Sequence, residues 1–183
     1  MRLFKTEGGT SLIEIIIGWM LTGFLLLLFS TAFIRYLSEF QHLKDETEVQ
    51  YQVIEVLTRW NSHVLGKKKI TRIENEKKES LLHQKGTHQV IKIIFDNNLI
   101  FEHQPISQNF LYGTPPSTQY ANVMAAHYID EILITPLPMG VTYADCLGME
   151  LTICGKKNKA SFSITTEIYF RLYEERVVNA LEY

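Results

Sequence analysis

The sequence predicts an α+β fold: one long N-terminal helix whose later half packs on an antiparallel β-sheet. Three observations predict it. An apolar run reaching Ile34, broken only by Glu14, leads without a proline into helical apolar spacing that lasts to Val64. From residue 88 the period changes to two. The segment Ala160–Tyr173 then alternates cleanly: Phe162, Ile164, Thr166, Ile168 and Phe170 point one way, and Ser161, Ser163, Thr165, Glu167 and Tyr169 the other. That pattern belongs to an antiparallel sheet with one buried face.

A chain of 183 residues holds one compact domain plus a long helix, not two ordinary domains. Apolar residues at 46% and aromatics at 11% argue against disorder. The formal net charge of -2 supplies no bulk field to attract nucleic acid or anionic lipid. There is no internal repeat and no low-complexity segment.

Residues 1–9 read as a polar leader. Residues 10–35 form the apolar half of the helix. Between residues 11 and 34 Glu14 is the one ionisable group. That span rises roughly 36 Å at ~1.5 Å per residue, enough to cross a hydrocarbon layer of ~30 Å. Arg2 and Lys5 precede it and favour a cytoplasmic N-terminus, although Arg35 and Lys44 on the far side weaken the asymmetry. The C-terminal body is then expected on the oxidising, extracytoplasmic side. A cleaved secretory signal peptide fits poorly, because the apolar run is too long and small residues precede it.

Residues 36–66 form the amphipathic half. Tyr36, Phe40, Leu43, Ile54, Leu57 and Val64 follow i+3/i+4 steps, with Val53 and Trp60 widening the stripe and Thr47 and Gln50 interrupting it. Glu39, Lys44, Asp45, Glu46, Glu48 and Arg59 are placed on the opposite face. Gly66 and the basic run Lys67–Lys69 end the helix. Residues 67–183 are the extracytoplasmic sheet domain. Within it 71–87 read as a connecting loop or short helix. His88–Phe95 and Leu99–His103 flank Asp96-Asn97-Asn98 as a hairpin. Residues 104–126 read as a long surface loop. Tyr128–Thr135 is a third strand, ended by Pro136 and Pro138. Met149–Cys154 and Ala160–Tyr173 are two more, joined by Gly155–Lys159. The stripe over 53–64 is the expected cover for the buried sheet face.

Glu14 is the first functional candidate. A carboxylate inside a membrane segment costs about 2.5–3.5 kcal/mol on insertion scales. Ser11-Leu12-Ile13-Glu14 also matches a helix capping box, with Ser11 as N-cap and Glu14 three residues into the helix. Gly18 and Gly23 permit close helix approach, or reflect the ordinary frequency of glycine in membrane helices. Cys146 and Cys154 are either a disulfide or two buried thiols. Eight residues in one strand would span roughly 26 Å at ~3.3 Å each, so a bridge requires the chain to reverse, and Leu147-Gly148 is the obvious turn. The six histidines show no metal-ligand spacing. No G-x-S-x-G, P-loop or G-x-G-x-x-G occurs, so neither an enzyme nor a cofactor is expected. The basic clusters Lys67–Lys69 with Arg72, and Lys156, Lys157 and Lys159, read as solvated loops rather than nucleic-acid contacts.

Gly8-Gly9-Thr10-Ser11-Leu12-Ile13-Glu14 and the apolar helix behind it resemble the class III leader of type IV pilins and type II secretion pseudopilins. The resemblance implies a pilin-like fold and cleavage between Gly9 and Thr10 by a prepilin peptidase, followed by N-methylation at Thr10. It also implies that Leu12, Ile13 and Glu14 serve assembly, because the glutamate falls five residues after the cut. Thr10 departs from the usual Phe, and the proline that bends many major pilin helices is absent, with Thr31 in its neighbourhood. Many pilins staple their C-terminal region with a disulfide, which would be Cys146 with Cys154 here. The ending from Ala160 to Arg171 resembles the last strand of PilW-like minor pilins. The expectations that follow are a minor pilin of a type IV pilus, or its sibling, a J-type pseudopilin of a type II secretion system. Expected partners are prepilin peptidase, other minor and major pilins and inner-membrane lipid, with no small-molecule substrate. Such a subunit would sit in the inner membrane and then at the tip of a filament. A bitopic periplasmic binding or enzymatic domain on an uncleaved anchor is the alternative of another class.

Overall fold

In the computed structural model, residues 12–64, 69–96, 98–113 and 121–170 are described. The chain divides into two compact units, Met1–His42 and Leu43–Tyr183. Among the described residues a single helix, α1 (Leu12–Val64), is followed by nine antiparallel strands. The predicted α+β architecture of a long N-terminal helix packed on antiparallel sheet is what the molecule has. The predicted glycine and lysine helix stop falls largely at 65–68, outside the described residues.

The strands form two sheets instead of one. β1 (Ile70–Glu74), β3 (Lys92–Phe95), β4 (Ile100–Gln104), β5 (Asn109–Gly113) and β6 (Val123–Ala126) make a five-stranded sheet in the order β1-β3-β4-β5-β6. β2 (His88–Gln89), β7 (Ile129–Leu137), β8 (Gly148–Lys157) and β9 (Ala160–Tyr169) make a four-stranded sheet in the order β2-β7-β8-β9. The predicted hairpin exists between β3 and β4, closed by Asn98 in the left-handed region (φ 61°), where asparagine is well tolerated. Its first strand is shorter than expected, because the run from His88 to Phe95 changes sheets partway. His88 and Gln89 pair with Ile134 and Leu133, whereas the Val90 amide donates to Ile132 and the Ile91 amide to Glu74.

Three strands lie in segments expected to be loop. β1 occupies part of 71–87, and β5 and β6 occupy part of 104–126. They are short, and charged or turn-forming neighbours hide their alternation. The third expected strand runs on through Pro136 to Leu137, paired with Met149 and Gly148. Its neighbour β2 reaches only Ile134 and Leu133. At Pro136 the missing N–H therefore breaks no ladder bond. β9 shows the predicted alternation: Ile168 and the following Phe170 are buried, Phe162, Ile164 and Thr166 are half-buried, and the residues between are exposed. The predicted continuation from Arg171 to Tyr173 lies outside the described residues.

The helical stripe that meets the sheets is Val49, Val53, Val56, Trp60 and Val64, all buried. Val53, Trp60 and Val64 belong to the predicted stripe; Val49 and Val56 take the place predicted for Ile54 and Leu57. Ile54 is 49% exposed and Leu57 half-buried. Apolar residues at 53, 54, 56, 57 and 60 make a wide arc, and the sheets select one edge of it. Trp60 stacks on Phe101 (4.5 Å between centroids) and Phe110 (5.8 Å), both from the five-stranded sheet. Val49 and Val53 face Gly155 of the four-stranded sheet. Asp45 and Glu48, expected on the solvent face, instead turn toward the β8–β9 hairpin. Lys157 Nζ lies 3.0 Å from Asp45 and 2.6 Å from Glu48, and the Asn158 amide donates to Asp45 at 2.8 Å. These hydrogen bonds hold the Asp45 carboxyl below the usual carboxylate range and push the Lys157 ammonium up.

Candidate functional site

The residues predicted to serve assembly lie at the start of α1. Gly9 and Thr10 lie outside the described residues. Leu12, Ile13 and Glu14 occupy the first helical turn, where a carboxylate suits the positive end of the helix dipole. Beyond them every side chain through Leu43 is exposed within the chain, including Trp19, Phe24, Phe29, Phe33, Tyr36 and Phe40. The predicted amphipathic half was to begin at residue 36. Tyr36, Phe40 and Leu43 are nevertheless exposed, and burial starts only near Asp45.

A continuous apolar surface of this length is not stable in water. The helix is long and apolar enough to cross a membrane. Two of its threonine hydroxyls bond back to the helix. Thr22 Oγ1 donates to the Gly18 carbonyl at 2.8 Å, and Thr31 Oγ1 reaches Leu28 at 2.9 Å and Leu27 at 3.1 Å. Both threonine hydroxyls are thus satisfied along their own helix, the arrangement a hydrocarbon surrounding would require. Gly18 and Gly23 have open space around them in this chain.

Cys146 and Cys154 are both free thiols in the structure. Cys146 precedes β8, whereas Cys154 lies well along it, opposite Glu131 and Ser163. From Gly148 to Cys154 the strand advances about 20 Å at ~3.3 Å per residue. The reversal at Leu147-Gly148 that a bridge required is replaced by an extended strand, and the chain turns before it. Burial pushes the Cys146 thiol up to about 11, and its Sγ–H meets the Tyr143 carbonyl at 3.2 Å. Burial also raises Cys154.

A second feature is a cleft of about 580 Å³ on the five-stranded sheet, lined by Arg72, Lys78, Lys92, Glu102, His103 and Ile106 among others. Arg72 pairs with the buried Glu74, and Lys92 with Glu102 at 3.6 Å, so its charges are largely balanced. Neither this cleft nor the burial of His103 was signalled by the sequence, because both depend on how β1, β3 and β4 come together. The same holds for Tyr143, whose buried hydroxyl donates to the Ile134 carbonyl at 2.6 Å and fixes the segment before β8. Among the described residues no His, Cys, Asp and Glu side chains are grouped so as to hold a metal ion.

In comparisons with known proteins, no family model, no curated protein and no solved structure matches the chain.

Proposed function

We propose that this chain is a PilW-like minor pilin, cut between Gly9 and Thr10 by prepilin peptidase and used to initiate or cap a type IV pilus. The observation that carries the reading is the uncovered apolar helix with Glu14 in its first turn, directly behind a glycine-terminated leader. Cleavage creates a positive amine at Thr10. In a filament that amine meets Glu14 of an adjacent subunit. Such a pair in an apolar bundle sets axial register, because leaving either charge unpaired there costs several kcal/mol. The exposed Leu, Ile and Phe side chains then exchange lipid for neighbouring helices. Before assembly the subunit crosses the inner membrane with a cytoplasmic N-terminus, and the sheet domain stands in the periplasm. The sibling reading, a J-type pseudopilin of a secretion system, shares every step and differs in its companions.

The cleft on the five-stranded sheet favours a second reading of another class, a bitopic periplasmic domain that binds a ligand and keeps its anchor. N-terminal sequencing of the membrane-extracted protein, from a host with an active prepilin peptidase, separates the two. The expected mature end is Thr10. An intact Met1 would overturn the filament reading. Pull-down of companion subunits from membranes then distinguishes a pilus from a secretion system.

A further inference from the structure

We infer that one water molecule is bound inside the sheet domain between the Trp60 indole and the His103 imidazole, joining α1 to the five-stranded sheet. Among the described residues, Trp60 Nε1 and His103 Nδ1 are the buried side-chain polar atoms with no hydrogen-bond partner in the protein. Trp60 is 1% exposed and His103 3% exposed, so bulk water reaches neither freely. Both side chains line the same small cavity, together with Val90, Ile93, Phe101 and Phe110. Its volume of about 10 Å³ matches the minimum that holds one water, about 10–15 Å³.

The hydrogen-bonding capacities are complementary. His103 Nε2 lies 2.9 Å from the Ile129 carbonyl, which can only accept, so Nε2 carries the proton and donates. Nδ1 is then an acceptor. The indole Nε1–H is a donor only. A water between them accepts from Trp60 and donates to His103, which satisfies both groups in one step. Apart from Lys92, the remaining lining residues, Val90, Ile91, Ile93, Phe101, Phe110 and Ile132, are apolar and by themselves would leave the cavity dry. Ile91, Lys92 and His103 line both this cavity and the 580 Å³ cleft, so the cavity borders the cleft.

Nuclear magnetic resonance on the full chain in detergent micelles tests it. The chain has two tryptophans, Trp19 and Trp60, and Trp60→Phe assigns the indole signal. The expected result in the wild type is a rotating-frame Overhauser cross-peak between Trp60 Nε1–H and a long-lived water. Long-range proton–nitrogen correlations should show His103 neutral and protonated at Nε2. His103→Phe removes the acceptor, and the cross-peak should vanish. His103→Gln keeps one donor and one acceptor, and the cross-peak should persist. A wild-type indole with no water cross-peak would overturn the inference, as would a His103 protonated at Nδ1. The wild-type readout stands even where the phenylalanine variant fails to fold.

Discussion

Gly155 of β8 sits under Val53 of the helix so closely that a Cβ built on the glycine would lie 2.6 Å from Val53 Cγ2, and 2.9 Å from Val49 Cγ1. The requirement is space, not conformation. Both valines are fully buried, and the Tyr128 carbonyl closes the same site at 3.2 Å. A β-branched side chain in a helix holds one χ1 rotamer strongly, so the valines yield little. Gly155→Ala should therefore destabilise the sheet domain by about 1–3 kcal/mol, the usual range for overpacking. Val53→Ala in the same chain should recover part of that loss. Denaturant midpoints for the two single variants and the double variant measure the coupling directly. Additive losses would show that the helix does not approach β8 this way.

That contact also explains what could be read in advance and what could not. The long helix was legible because nothing between Leu12 and Val64 interrupts it. Which edge of its apolar arc is buried was not, since the glycine that admits Val49 and Val53 lies about a hundred residues away in sequence. Strand β9 was legible from its own alternation. β1, β5 and β6 were not: Thr71-Arg72 is exposed within β1, and turn-forming residues crowd β5 and β6. The change of sheet at Val90-Ile91 is hidden inside an unbroken apolar run. At the candidate site, Glu14 and its apolar surroundings were plain from composition. That Trp60 and His103 line one cavity depends wholly on tertiary packing, and no local pattern announces it.

His103 should make the domain acid-sensitive. Burial pushes its pKa below the ordinary 6.5, the chief opposing influences being the Ile129 hydrogen bond and the charges of Asp130, Glu131 and Glu76. The unfolded chain therefore binds a proton that the folded chain resists. Stability is lost as pH falls through about 6.5 toward the folded-state value, and the loss levels off below it. One proton limits the slope to about 1.4 kcal/mol per pH unit. The stability gap between wild type and His103→Gln should shift against the wild type between pH 7.5 and 5. Urea midpoints across that range measure it, and parallel curves would show that His103 does not titrate differently in the two states.

The two cysteines should behave as separate thiols. Protein extracted without reductant, then denatured and alkylated, should take up two labels per chain by mass spectrometry. In the native state Cys154, which is only partly buried, should react with a maleimide faster than the buried Cys146. Both should react slowly at pH 7, because the thiolate is the nucleophile and burial disfavours it in each case. A mass two units low with no label taken up would mean that the pair is bridged, and that the region around β8 is arranged differently.

Glu14 gives the sharpest test of the filament reading. Its carboxylate lies in the first turn of a helix whose surroundings are otherwise apolar, so replacing it should not harm insertion. Removing a charge from a membrane segment lowers the insertion cost rather than raising it. It is remote in sequence from the buried stripe that begins at Val49, so the sheet domain should keep its stability as well. Glu14→Ala is therefore expected to reach the membrane at wild-type levels and fold normally, yet enter filaments poorly. Glu14→Gln, which keeps the shape and loses the charge, should fail in the same way if the amine at Thr10 is the partner. Glu14→Asp should be intermediate, because the charge survives on a shorter arm. Immunoblots of sheared filaments against membrane fractions give the ratio that decides it. Undiminished incorporation of the glutamine variant would remove the ion pair from the account, leaving apolar packing alone to set register.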